Sequence, residues 1–251
     1  MMRSGSSPHP LRGFTLIEVL VAISVMALMG LMAWRGLDGM LRTQSNLQGR
    51  SDEIRTLQAG LAQWQTDLDQ LAELPGIPSW DWDGQVLRLT RRSAEVPTQR
   101  TPDGQIETRS SPSVRVVAWT WRVDPGRPGG GDWLRWQSGP LTQLPDWQAA
   151  WGLAQQWGQT PTDNLRAMQV QIHPLSGWQL FVHRGGNWTN PLSSDAVTQG
   201  AAPAGPPNER RLPGNTTPDG VRLVLSLPPG SAGQGTLSLD WVRPTLSGAP
   251  S

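Results

Sequence analysis

The sequence predicts an α+β fold: one long N-terminal helix, then a head of antiparallel β-sheets. Three observations predict it. No proline interrupts the chain from Phe14 to Leu74, and Pro75-Gly76 then supplies a stop. Beyond Pro75, short runs of alternating character recur between glycine- and proline-rich turns. Helical and β-like segments are segregated along the chain rather than interleaved, which is the α+β order.

The helix comes first. From Phe14 to Trp34 the only ionisable side chain is Glu18. As a helix this run spans roughly 30 Å, the thickness of a bilayer core. A carboxylate at the centre of such a helix costs roughly 2.5–3.5 kcal/mol, so Glu18 calls for a partner. Its place in the first turns, near the positive helix end, reduces that cost. A polar leader, Met1–Gly13, precedes the run and carries Arg3 and Arg12. A secretory signal peptide has a similar layout. Against it stand the length of the apolar run, Glu18 within it, and the poor cleavage sequence Ala33-Trp34-Arg35. Arginines flank both ends of the span, so their count does not orient it.

Beyond the span, Leu37, Leu41, Leu47, Ile54, Leu57, Leu61, Trp64, Leu68 and Leu71 recur at spacings near three and four. This is one apolar stripe on a soluble helix. Ile54–Leu71 is expected to pack on the head, and Leu37–Leu47 to contact neighbouring subunits. Gly30, Gly36 and Gly39 permit bending or close approach. The expected division is leader 1–13, membrane helix 14–34, amphipathic continuation 35–74 and β-rich head 75–251.

In the head, Gln85–Arg91 alternates apolar and polar residues. Val114–Val123 is a stronger strand, apolar in both phases, and pairs with Trp133–Trp136 across the glycine-rich turn Gly126–Gly131. Leu144–Trp157 reads as a short helix with Trp147, Trp151 and Ala154 on one side. Leu165–Ile172 and Trp178–His183 read as two further strands. Val221–Leu227 and Thr236–Val242 form a closing hairpin. Pro97–Pro112 and Leu192–Pro218 read as long loops.

Composition narrows the function. The 251 residues carry a net charge of +1, so there is no electrostatic footprint for nucleic acid. With no cysteine, disulfides and thiol chemistry are excluded, and the head must rely on packing. The 14 tryptophans are the abundant large side chains; on strands such as Trp119, Trp121, Trp133, Trp136, Trp178 and Trp241 their default role is packing. An exposed cluster of them would mark a partner surface.

No catalytic residue, cofactor or metal site is predicted. His9, His173 and His183 are the histidines; His173 and His183 can approach across a hairpin, but without an acid partner they make a weak metal case. Asp67 and Asp69 point to different faces of the helix. Asp81 and Asp83 fit a solvated turn better than a cation site. Gly129-Gly130-Gly131 lacks the lysine and helix of a phosphate loop. Ser193-Ser194-Asp195 has no histidine nearby in sequence.

Arg12-Gly13-Phe14-Thr15-Leu16-Ile17-Glu18 resembles the class III signal of type IV pilins and type II secretion pseudopilins. The resemblance implies a pilin-like fold, cleavage between Gly13 and Phe14 by a prepilin peptidase, and N-methylation of Phe14. It also implies that Glu18 meets the Phe14 amine of a neighbouring subunit in the fibre. In the head, Leu87–Arg92, Val116–Val123 with Trp133–Gln137, Leu165–Trp178, and Val221–Leu225 with Leu237–Val242 resemble the J-type minor pseudopilin of type II secretion in patches. That resemblance implies a non-enzymatic subunit in the inner membrane, with its head in the periplasm. Its implied partners are the I- and K-type minor pseudopilins at a fibre tip. A minor pilin of a type IV pilus is the close alternative, and a membrane-tethered enzyme is the alternative from another class.

Overall fold

The computed structural model describes residues 14–93, 98–100, 106–108, 113–184, 186–193 and 217–244. They form helix α1 (Leu16–Asp69), strands β1 (Trp80–Trp82), β2 (Val86–Ser93), β3 (Thr98–Arg100), β4 (Ile106–Thr108), β5 (Ser113–Val123) and β6 (Gly131–Gln137), and helices α2 (Leu144–Gln159) and α3 (Asp163–Ala167). Strands β7 (Val170–Leu175), β8 (Gly177–Arg184), β9 (Asn187–Thr189), β10 (Gly220–Leu227) and β11 (Gly235–Val242) follow. The architecture is α+β, a long apolar N-terminal helix followed by an antiparallel β head.

The chain divides into two compact units, Met1–Ser51 and Asp52–Ser251. In the first, the described residues are helical from Leu16 onward and exposed throughout. In the second, a five-stranded sheet in the order β1-β2-β5-β6-β7 and a four-stranded sheet in the order β11-β10-β8-β9 are antiparallel at every pairing.

The double phase of β5 has a simple cause: the strand is buried on both faces. Val117 and Trp119 face one core with Leu87, Leu89 and Trp133, the α1 residues Leu57, Trp64 and Leu68, and the inner face of the second sheet. Val116 and Ala118 face a second core, with Leu134, Trp136 and the α2 residues Trp147, Ala150, Ala154 and Trp157. A strand covered on both sides reads as a continuous apolar run instead of an alternating one. In β10 the regular alternation holds, with Val221, Leu223, Leu225 and Leu227 buried and the residues between them half-buried.

Three expectations change. The segment Leu165–Ile172 is not a strand throughout. Asp163–Ala167 is a short helix, and the strand begins at Val170. Asp163 in the first turn and Arg166 in the last suit the helix ends. Helix α1 ends at Asp69, short of Leu74, because Leu71 leaves to pair with Arg91 of the first sheet. The expected loop Pro97–Pro112 contains a hairpin, with Thr98–Arg100 pairing Ile106–Thr108; other parts of that loop, and most of Leu192–Pro218, lie outside the described residues.

Two glycines record close packing. The β6–β7 pairing slips between Trp133 and Leu134, leaving Ile172 as the extra residue of a bulge. Ile172 lies against Gly60 of α1, where a Cβ would stand 2.1 Å from its Cγ2. On the other face, a Cβ on Gly158 of α2 would meet Val86 Cγ2 at 1.7 Å.

Candidate functional site: the helix start and the polar centre of the head

The first candidate is the start of α1. Thr15 precedes the helix, and its Oγ1 accepts the Glu18 N–H at 3.4 Å, while the Thr15 carbonyl accepts the same N–H at 3.1 Å. Thr15-Leu16-Ile17-Glu18 has the spacing of a capping box, in which a threonine cap and a glutamate three residues later serve the unpaired N–H groups of the first turn. The Thr-x-x-Glu spacing before an apolar run is the sequence signal for this cap. Glu18 also lies at the positive helix end, which favours its carboxylate. Leu16, Ile17, Met26, Met29 and Met32 are each at least 66% exposed, so this segment offers apolar surface on all sides. Helix α1 is long and apolar enough to cross a membrane. Gly13 and His9 lie outside the described residues.

The second candidate is the polar centre of the head, built around Asp67. Its side chain is fully buried. One carboxylate oxygen accepts from Arg135 Nη2 at 2.9 Å, Arg91 Nη1 at 2.5 Å and Gln63 Nε2 at 2.9 Å. The other accepts from Arg135 Nε at 2.7 Å and Trp119 Nε1 at 2.9 Å. Helix α1, β2, β5 and β6 thus converge on one carboxylate. Asp67 follows Trp64 by three residues and precedes Leu68 and Leu71, so it lies on the buried stripe. That spacing was the missed signal. Asp69 does point elsewhere: its Oδ1 accepts the indole N–H of Trp241 at 2.7 Å.

The remaining candidates are structural. Asp81 pairs with Arg88, whose guanidinium also lies 4.9 Å from the Trp151 ring centre. Asp83 Oδ1 accepts the N–H groups of Gln85 and Val86 at 2.9 and 2.7 Å, capping the turn into β2. The Gly129–Gly131 stretch closes the β5–β6 turn, with Asp124 and Asp132 both engaging Arg127. Ser193 Oγ donates to the Asn190 carbonyl at 3.0 Å; Ser194 and Asp195 lie outside the described residues.

The two histidines do not come together. His173 is on β7, 3% exposed, with Nε2 3.9 Å from Glu53 Oε1. His183 is on β8 in the other sheet, edge-on to Trp188 at 5.3 Å. Among the described residues no group of three or more His, Asp or Glu side chains is placed to hold a metal. Trp64, Trp119, Trp133 and Trp136 are core residues, and Trp64 packs edge-on against Trp119 at 5.3 Å. Trp82, Trp121 and Trp178 are half-buried at the margin of the first core.

Residues 11–34 match the family described as the prokaryotic N-terminal methylation motif. The match supports the pilin-like class, and the α+β architecture is consistent with it. The motif implies processing by a prepilin peptidase and assembly with other pilins. It spans the helix start just described, so the capped first turn and Glu18 lie inside the matched segment.

Proposed function

We propose that this protein is a structural, non-enzymatic minor pseudopilin of a type II secretion system, of the J type. The observation that carries the pilin-like part is the methylation motif at residues 11–34, continuous with a helix long and apolar enough to cross a membrane. The patchwise resemblance of β2, β5–β6 and β10–β11 to the J type supports the finer assignment. In this reading the chain is cut between Gly13 and Phe14 and methylated at Phe14. It is anchored by residues 14–34 in the inner membrane, with residues 75–251 in the periplasm, and joins I- and K-type minor pseudopilins at the fibre tip.

The resemblance implies the role of Glu18, and physical chemistry agrees with it. A lone carboxylate in an apolar segment is tolerable when a cation meets it, and the new Phe14 amine of a neighbour supplies one. Mass spectrometry of the mature protein is expected to find methylated Phe14 as the first residue; cleavage after the apolar run overturns the reading. Glu18→Ala is expected to leave cleavage largely intact and to impair fibre assembly; normal assembly by that variant overturns the role. Co-purification of the full chain with I- and K-type subunits tests the tip assignment, and loss of both partners leaves only the pilin-like class.

A further inference from the structure

We propose that the open edge of β11 is the docking site for an extended strand of a different subunit of the fibre, which adds a fifth strand to the four-stranded sheet. The proposal rests on the fibre-subunit reading above. β11 ends its sheet, and among the described residues only β10 pairs with it. Two backbone bonds fix which way its polar groups point. Arg243 N–H donates to the Asp219 carbonyl at 2.8 Å, so the bonded positions facing β10 alternate from there through Trp241, Leu239 and Leu237. Ser226, opposite Thr236, gives its carbonyl to the Ser176 N–H on the β8 side, as that phase requires. Thr236, Ser238, Asp240 and Val242 therefore turn their N–H and C=O groups to the free edge. All four residues are exposed. Their backbone groups make a row of donors and acceptors about 20 Å long.

Such a row matches one chemistry, the backbone of another extended chain. Proteins guard exposed edges against it, and the other terminal strands of the two larger sheets are guarded. β1 and β9 are three residues long, and β7 carries the bulge at Ile172 and Pro174. β11 has none of these devices: it is eight residues in unbroken register, without proline or bulge. Its charged side chain, Asp240, is turned back onto Arg222 of β10 by two bonds of 2.6 Å. The inner face is unfinished at the same place. Leu223 and Leu225 of β10 are fully buried, whereas their β11 partners Leu239 and Leu237 are half-buried. An added strand with apolar side chains on that face covers both.

The direction of β11 selects a different subunit over a second copy. From Glu53 to Glu73 the chain runs the same way as β11. Glu53 accepts the Ala232 N–H, Asp69 accepts the Trp241 indole N–H, and Glu73 pairs with Arg243. Two copies joined edge to edge by a two-fold axis pair their β11 strands antiparallel, which points their α1 segments in opposite directions. Subunits anchored, as proposed, by the start of α1 in one membrane do not meet in that way. A strand from a different subunit carries no such constraint.

A photo-crosslinking amino acid in place of Ser238 of the full chain, in cells that assemble the fibre, tests the site. Leu41, exposed on α1, is the second crosslinking position. Ser238 is expected to capture a different pilin-like subunit. Crosslinks to such subunits from Leu41 but none from Ser238 overturn the docking site and leave the fibre reading standing. No such crosslink from either position overturns both. Capture at Ser238 of a second copy, or of a protein outside the fibre, overturns the proposal. Ser238→Pro removes an outward N–H that makes no bond to β10, a place where a sheet tolerates proline. It is expected to reduce co-purification of the captured subunit severalfold, with Ser238→Ala leaving it unchanged. Equal co-purification by wild type and Ser238→Pro overturns the proposal. Should Ser238→Pro fold poorly, the crosslinks decide alone.

Discussion

Asp67→Asn is the sharpest test of how this head is held together. The substitution keeps the side-chain volume, so it opens no cavity. It removes the negative charge that faces Arg135, 8% exposed at its side chain, and Arg91, 16% exposed. It also replaces one accepting oxygen by an N–H₂ group aimed at guanidinium and indole donors. Removing one partner of a buried ion pair costs about 3–5 kcal/mol, because the other charge stays buried and uncompensated. In a domain of this size, each kcal/mol moves Tm by roughly 2–4 °C, so a fall of about 6–20 °C is expected. Thermal unfolding of the full chain in detergent, followed by tryptophan fluorescence, reads it directly, since Trp119 donates to the same carboxylate. Adding Arg135→Met to Asp67→Asn is expected to recover part of the loss, because it removes the stranded cation. A fall in Tm within about 3 °C of zero refutes the reasoning, since it shows Arg91 and Arg135 reaching water or another acid at little cost.

Other outcomes follow from the packing. Gly158→Ala places a methyl 1.7 Å from Val86 Cγ2, and the overpacking is expected to cost about 1–3 kcal/mol in denaturant unfolding. Gly60→Ala meets Ile172 Cγ2 at 2.1 Å, and Ile172→Ala in the same chain is expected to restore part of the lost stability. Equal destabilisation with and without Ile172→Ala would show that the clash lies elsewhere. The Arg222 guanidinium beside Asp240 holds that carboxyl below its usual value of 3.8. Its contribution is therefore present above about pH 3.8 and lost as pH falls through the native value. The pair is exposed at 35% and 40%, so 0.5 M salt is expected to move the Asp240 midpoint, read by NMR, back toward 3.8.

The helix, the closing hairpin and the paired strands β5 and β6 were legible because each is a local pattern. An unbroken apolar stripe without proline makes α1, and alternation in Val221–Leu227 makes a strand with one buried face. The matched motif at residues 11–34 is local as well, since a membrane-length run, a lone acid and a capping threonine lie within one stretch of chain. Leu165–Ile172 misled because its apolar residues suit a short helix and a strand equally; the helix closes at Met168, whose N–H donates to the Leu165 carbonyl at 3.3 Å, and the strand starts at Val170.

The role of Asp67 could not be read in the same way. Its partners Arg91, Trp119 and Arg135 come from three strands, and nothing in the helix announces them. The same holds for Glu53, whose carboxylate accepts the Ala232 N–H and lies 3.9 Å from His173 Nε2. By itself the sequence determined the helix, the strand periods and the processing motif, because those depend on neighbours within a few residues. Only the tertiary structure decided what meets each buried polar side chain. A buried charge is tolerated only where distant segments bring it partners, and that juxtaposition exists only in the folded chain.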